Sequence, residues 1–100
     1  MVGMVAVERS GQHVVVRARG EFDLSTVPAL EPALREAADA GCDVDLDLTE
    51  TSFVDVVFLR VVFELQETLH SRGHRLTVVH PPPSLLRMVA ALKLSKLMIA

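Results

Sequence analysis

Asp43-Val44-Asp45-Leu46-Asp47-Leu48 alternates carboxylate and aliphatic side chains without a break. A period of two is the repeat of a β-strand, whose successive side chains point to opposite faces. Val44, Leu46 and Leu48 therefore share an apolar face and Asp43, Asp45 and Asp47 a carboxylate face. A strand covered by helices on both sides would read as a continuous apolar run. The alternation predicts a sheet with its helices mainly on one face.

Before this strand, Val27, Leu30, Leu34, Ala37 and Ala38 recur at helical spacing, opposite Glu31, Arg35, Glu36 and Asp39. Ser25 or Thr26 can cap this first helix, Pro28 suits its first turn, and Gly41 stops it. Further back, Met4 to Val7 and Val14 to Ala18 flank Ser10-Gly11-Gln12, which predicts a hairpin, and the chain is expected to break at Gly20. After the alternating strand, a second helix is predicted over roughly Val56 to Ser71, ended by Gly73. Its core stripe is Leu59, Val62, Leu65, Gln66 and Leu69. Leu76 to Val79 predicts a strand that Pro81-Pro82-Pro83 cannot continue. Ser84 can cap a third helix carrying Leu85, Met88, Val89 and Leu92, and Lys96 to Ile99 is expected as a last short strand. The expected fold is α/β in the order β-β-α-β-α-β-α-(β), a mostly parallel sheet of 4–5 strands in a single domain over 1–100.

Composition narrows the function. The chain has 100 residues, 50% hydrophobic and 4% aromatic, with neither Trp nor Tyr, so the core is aliphatic. That is no disordered tail and no aromatic platform for single-stranded nucleic acid. A net charge of −3 creates no basic field for nucleic acid or anionic lipid. The single Cys42 excludes an internal disulfide and a cysteine-based zinc cluster and fits a reducing cytoplasm. Met1 to Val7 lacks the basic start and the length of a signal peptide, and no apolar run reaches the ~18–20 residues of a membrane span. A cytoplasmic protein without membrane insertion is expected.

Asp45-Leu46-Asp47-Leu48-Thr49 fits the D-x-D-x-T pattern of haloacid-dehalogenase-like phosphatases, in which an Asp attacks phosphate. Such carboxylates belong at the carboxyl end of a strand, whereas these alternate through its middle. Glu64 and Glu67, on a helix, are the only acids after Asp55. His13, His70, His74 and His80 show no ligand spacing within a helix. No catalytic, metal or cofactor site is predicted, so the protein is expected not to be an enzyme. The turn Ser52 to Leu59 stands out instead. Asp55 can cap the second helix, but capping does not account for Val57 and Phe58 behind it. An apolar first turn is either tucked into the core or presented to a partner.

Together these segments resemble the STAS domain, the family of bacterial anti-sigma factor antagonists, from about Met4 to Met98. Gly20-Glu21-Phe22-Asp23-Leu24-Ser25-Thr26 is similar to the family's G-E-L-D-L-S-T entry to its first helix. Val44 to Leu48 followed by Phe53-Val54-Asp55 is similar to its strand and F-I-D, and His74 to Val79 with Pro81 to Ser84 to the next strand and helix entry. In the family, F-I-D continues as S-S-G-L, and a serine kinase that doubles as anti-sigma factor phosphorylates the first serine. Unphosphorylated antagonist binds that kinase and frees sigma. Phosphate adds about −2 of charge beside a carboxylate and blocks docking.

Here Val56, Val57 and Phe58 stand in place of Ser-Ser-Gly, and Lys93 replaces a glycine common near the end of the third helix. Val56 is thus a degenerate phospho-acceptor position. The resemblance implies a non-catalytic module for sigma-factor-dependent transcription, a divergent antagonist insensitive to phosphorylation there. Its partner would be an anti-sigma factor and serine kinase of the histidine-kinase-like ATPase type. The implied partner-binding residues are Asp23, Ser25, Thr26, Asp55, Val56, Val57, Phe58 and Leu59. The alternative is an assembly subunit of a stress-signalling complex or a transporter, self-associating through Val57, Phe58 and Phe63.

Overall fold

The computed structural model describes residues 3–92. Its elements are β1 (Met4–Ser10), β2 (His13–Phe22), α1 (Val27–Asp39), β3 (Asp43–Asp47), β4 (Thr51–Val54), α2 (Val56–Ser71), β5 (Leu76–Val79) and α3 (Pro83–Ala91). The strand expected over Lys96 to Ile99, and Lys93, lie outside the described residues.

Strands β1-β2-β3-β5 lie side by side, with β4 against β2 to complete a sheet of five. β1 is antiparallel to β2, and the β2–β3, β2–β4 and β3–β5 pairs are parallel. Register places Val14 beside Val44 and Val44 beside Leu76, and Val16 beside Leu46 and Leu46 beside Val78. These six side chains are at most 3% exposed and form the sheet side of the core. Leu30, Leu34 and Ala37 from α1, Phe58, Leu59, Val62, Leu65 and Leu69 from α2, and Leu85 from α3 cover them. One face is therefore covered, as the alternation predicts.

The other face carries the carboxylates, and they are half-buried and paired rather than merely solvated. Asp45 meets His13 at 3.2 Å, Asp43 faces His74 at 3.8 Å, and Arg17 bridges Asp47 at 3.5 Å and Glu8 at 2.9 Å. Arg19 pairs with Glu50. Thr49 donates its hydroxyl to Asp47 at 2.5 Å, and that bond first, then its backbone N–H, Arg17 and His80, hold the Asp47 carboxyl below the usual range against the cost of burial. Asp45 and Asp47 thus belong to a strand-face ladder of hydrogen bonds and ion pairs, and among the described residues no cluster of His, Cys, Asp or Glu is arranged to hold a metal.

Three local expectations give way to tertiary contacts. β2 does not break at Gly20 but continues to Phe22 through a register shift at Gly20 and Glu21. Gly20 has φ of 100°, a conformation open to glycine and costly for other residues. There β2 exchanges its neighbour β3 for β4, a strand absent from the sequence expectation because Thr51 to Val54 lacks a two-residue burial alternation. Gly20 N–H donates to the Glu50 carbonyl at 3.0 Å and the buried Thr51 hydroxyl to the Ala18 carbonyl at 2.6 Å.

Ser84 does not cap α3, whose N-cap is Pro82. Its buried hydroxyl accepts the Val54 N–H at 3.0 Å, fastening α3 to the end of β4. Nor does either hydroxyl before α1 cap that helix. Both are used within the loop that precedes it.

Candidate functional site

Two loops lie side by side where the parallel strands β2 and β4 end. Phe22 pairs with Val54, and Asp55 N–H donates to the Phe22 carbonyl at 3.1 Å, so the segments after each strand leave the sheet together. The carboxyl ends of parallel strands are where α/β sheets commonly place their binding loops.

The first loop, Asp23 to Thr26, folds around one carboxylate. Asp23 Oδ1 accepts from Ser25 N–H at 2.8 Å, Ser25 Oγ at 2.6 Å and Thr26 N–H at 3.2 Å. The Ser25 hydroxyl, ahead of the backbone bonds, lowers the Asp23 pKa below its ordinary value. Thr26 Oγ1 accepts from Asp23 N–H at 2.9 Å and donates to the Glu21 carbonyl at 2.8 Å. The turn holds an ionised carboxylate in place and presents Leu24, 74% exposed, at its tip.

In the second loop, Asp55 is extended and its Oδ1 accepts from Val57 N–H at 2.9 Å and Phe58 N–H at 3.3 Å. These amides open α2 and would otherwise lack partners. The cap fixes the first turn so that Val56 faces outward at 60% exposure, Val57 is half-buried and Phe58 is fully buried. The alternative left open for the apolar first turn is thus divided between its residues.

Phe58 and Leu59, expected on a partner-binding surface, are 0% and 3% exposed and belong to the core. Their side chains lie on the stripe that α2 turns toward the sheet. The self-association patch of Val57, Phe58 and Phe63 loses its central residue in the same way: Phe58 packs on Phe22, while Val57 and Phe63 are half-buried at the edge of the core. Asp23, Ser25, Thr26, Asp55, Val56 and Val57 lie on the two segments that leave the sheet after β2 and β4. Two exposed apolar residues join them that the sequence expectation did not assign to the surface, Leu24 and Phe53, the latter 44% exposed beside Glu21. Leu24 was detectable as an aliphatic residue in a polar turn. Phe53 could be placed only once β4 was known.

The architecture is that of a small α/β module with one covered sheet face and an ordered rim of two loops. The chain belongs to the STAS domain family: the family model described as "Mlab, STAS domain" matches residues 5–99. A search of curated proteins returned no match. Among solved structures, an anti-sigma factor antagonist from Mycobacterium paratuberculosis is 26% identical, with a TM-score of 0.85 over 97% of this chain and 84% of that one. The Bacillus cell fate determinant SpoIIAA in its phosphorylated form is 21% identical, with a TM-score of 0.75 over 97% of this chain and 91% of that one. The unphosphorylated antagonist SpoIIAA is 18% identical, with the same TM-score over 97% of this chain and 87% of that one. The likeness to both SpoIIAA forms is one of fold. Among the described residues, no helix is long and apolar enough to cross a membrane.

Proposed function

We propose that this protein is a non-catalytic interaction module, an anti-sigma factor antagonist whose docking is not controlled by phosphate at residue 56. Its partner is an anti-sigma factor and serine kinase of the histidine-kinase-like ATPase type, acting in the cytoplasm. One observation carries the proposal: Val56 stands 60% exposed directly after the Asp55 cap, where the family's acceptor serine is expected. A hydroxyl there would be open to a kinase, and an isopropyl group cannot accept phosphate. The exposed Leu24 beside the fixed Asp23 carboxylate, and the exposed Val56 at the start of α2, are apolar and charged groups of the kind protein interfaces use.

The test is capture of kinase-type anti-sigma factors on immobilised protein, with and without ATP. Retention in both conditions is expected. ATP-dependent phosphorylation of this chain accompanied by release of the partner would overturn the proposal. The assembly-subunit alternative draws on the same exposed rim and predicts instead a stable complex with no sigma factor released when the module is added.

A further inference from the structure

The sheet ends on β1, whose seven residues pair with β2 without a register shift. Ser10 pairs with His13 across a two-residue loop, Gly11-Gln12. In such a hairpin the flanking pair exchanges both backbone bonds, and the alternation of the antiparallel ladder then turns the N–H and C=O groups of Val5, Val7 and Arg9 outward. Among the described residues no backbone group pairs with them.

Exposed edges are usually guarded by Pro, Lys or a bulge. β1 has no Pro, Lys or bulge, and its only charged side chains are Glu8 and Arg9. Its charged side chains are drawn back over its own domain: Glu8 accepts from Arg17 at 2.9 Å, and Arg9 reaches the Ala40 carbonyl at 3.5 Å. On the helix side Val5 and Val7 remain half-buried, whereas their ladder neighbours Ala18 and Val16 are 2% and 0% exposed. Backbone and apolar surface are both left incomplete along one line.

We infer that β1 is a self-association edge, on which two copies of this chain pair antiparallel about a two-fold axis at Val7 to form one continuous sheet. Centring the axis on Glu8 or Arg9 would set like charges directly opposite each other. Centring it on Val7 opposes Val7 to Val7, Val5 to the stem of Arg9, and Glu8 to Ala6. Ala6 is the ladder neighbour of Arg17. With strands about 4.8 Å apart, Glu8 of one copy and Arg17 of the other stand about 10 Å apart at the backbone, within reach of their long side chains across a small alanine. The edge is thus self-complementary: in this register no like charges stand opposite, Val7 meets Val7, and each chain's own Glu8–Arg17 pair flanks the seam, which selects a second copy as the occupant. An interface of one strand pair is small, so the dimer is weak, with a dissociation constant of roughly 10–1,000 µM.

Sedimentation equilibrium of the purified chain, from about 5 µM to about 1 mM, tests this. The weight-average mass is expected to rise toward twice the monomer. Val7→Lys and Val7→Glu each place like charges on the axis and should remain monomeric, while their equimolar mixture should dimerise again. A mass that stays monomeric at about 1 mM, or a dimer that persists in both variants, overturns the inference. If circular dichroism shows that the Val7 variants do not fold, Arg9→Pro removes an outward N–H without touching the β1–β2 bonds and should raise the dissociation constant at least about tenfold. An unchanged constant there overturns it equally.

Discussion

The ring of Phe58 lies 5.7 Å from the ring of Phe22, tilted by 46°, and both side chains are fully buried. This contact ties the first turn of α2 to the last residue of β2 beneath the two loops of the candidate site. Phe58, which the sequence leaves open between core and partner surface, is therefore a structural pin. Val56, two residues before it, faces outward instead.

Phe58→Ala is expected to destabilise the fold by about 3–5 kcal/mol, the cost of emptying a large buried site. Urea denaturation measures it. A loss of partner binding with unchanged stability would mean that Phe58 acts at the surface.

Asp55→Ala removes the acceptor of two α2 amides and should cost about 1 kcal/mol. Asp55→Asn keeps a capping oxygen and should recover most of that loss in the same denaturation assay.

Ser84→Ala leaves the buried Val54 N–H without its acceptor, at a cost of about 1–3 kcal/mol. Hydrogen exchange at Val54 should accelerate with it. Exchange as slow as in the parent protein would show that the Ser84 hydroxyl does not protect β4.

Val56→Ser should change stability by no more than about 0.5 kcal/mol, because the position is exposed at the helix start. Incubated with the proposed kinase-type partner and ATP, this variant should gain a phosphate detectable by mass spectrometry and then lose that partner. The parent chain should do neither.

The Asp47 pKa is lowered in the fold, chiefly by the Thr49 hydroxyl. A lowered carboxyl contributes stability that is complete above the unfolded value, about 3.9, and is lost as pH falls through the folded value. Thr49→Val should therefore cost roughly 0.5–1 kcal/mol at pH 7 and flatten the decline in stability below about pH 4. Thermal unfolding between pH 7 and pH 2 checks both effects.

Periodicity made much of the frame legible. The alternation from Asp43 to Leu48 defined a one-faced sheet, and the apolar spacing of α1 and α2 placed their buried stripes. β4 was hidden because four residues with two exposed positions in the middle carry no period. It exists because the turn after β3 brings Thr51 under Ala18, and β2 has ladder groups left to pair. Ser84 reads as a helix cap because hydroxyls commonly serve that role. The nearby Val54 N–H, distant in sequence, takes it instead.

The sequence by itself determined which residues are apolar at which period, that residue 56 has no hydroxyl, and which family motifs run along the chain. Those are properties of local composition and spacing. Only the tertiary structure decided that Phe58 is core while Val56 is surface, and that Leu24 and Phe53 are both exposed. At the start of a helix, burial depends on which way the first turn faces the sheet. That direction is set by the Asp55 cap and the contact with Phe22, a residue 36 positions earlier in the chain.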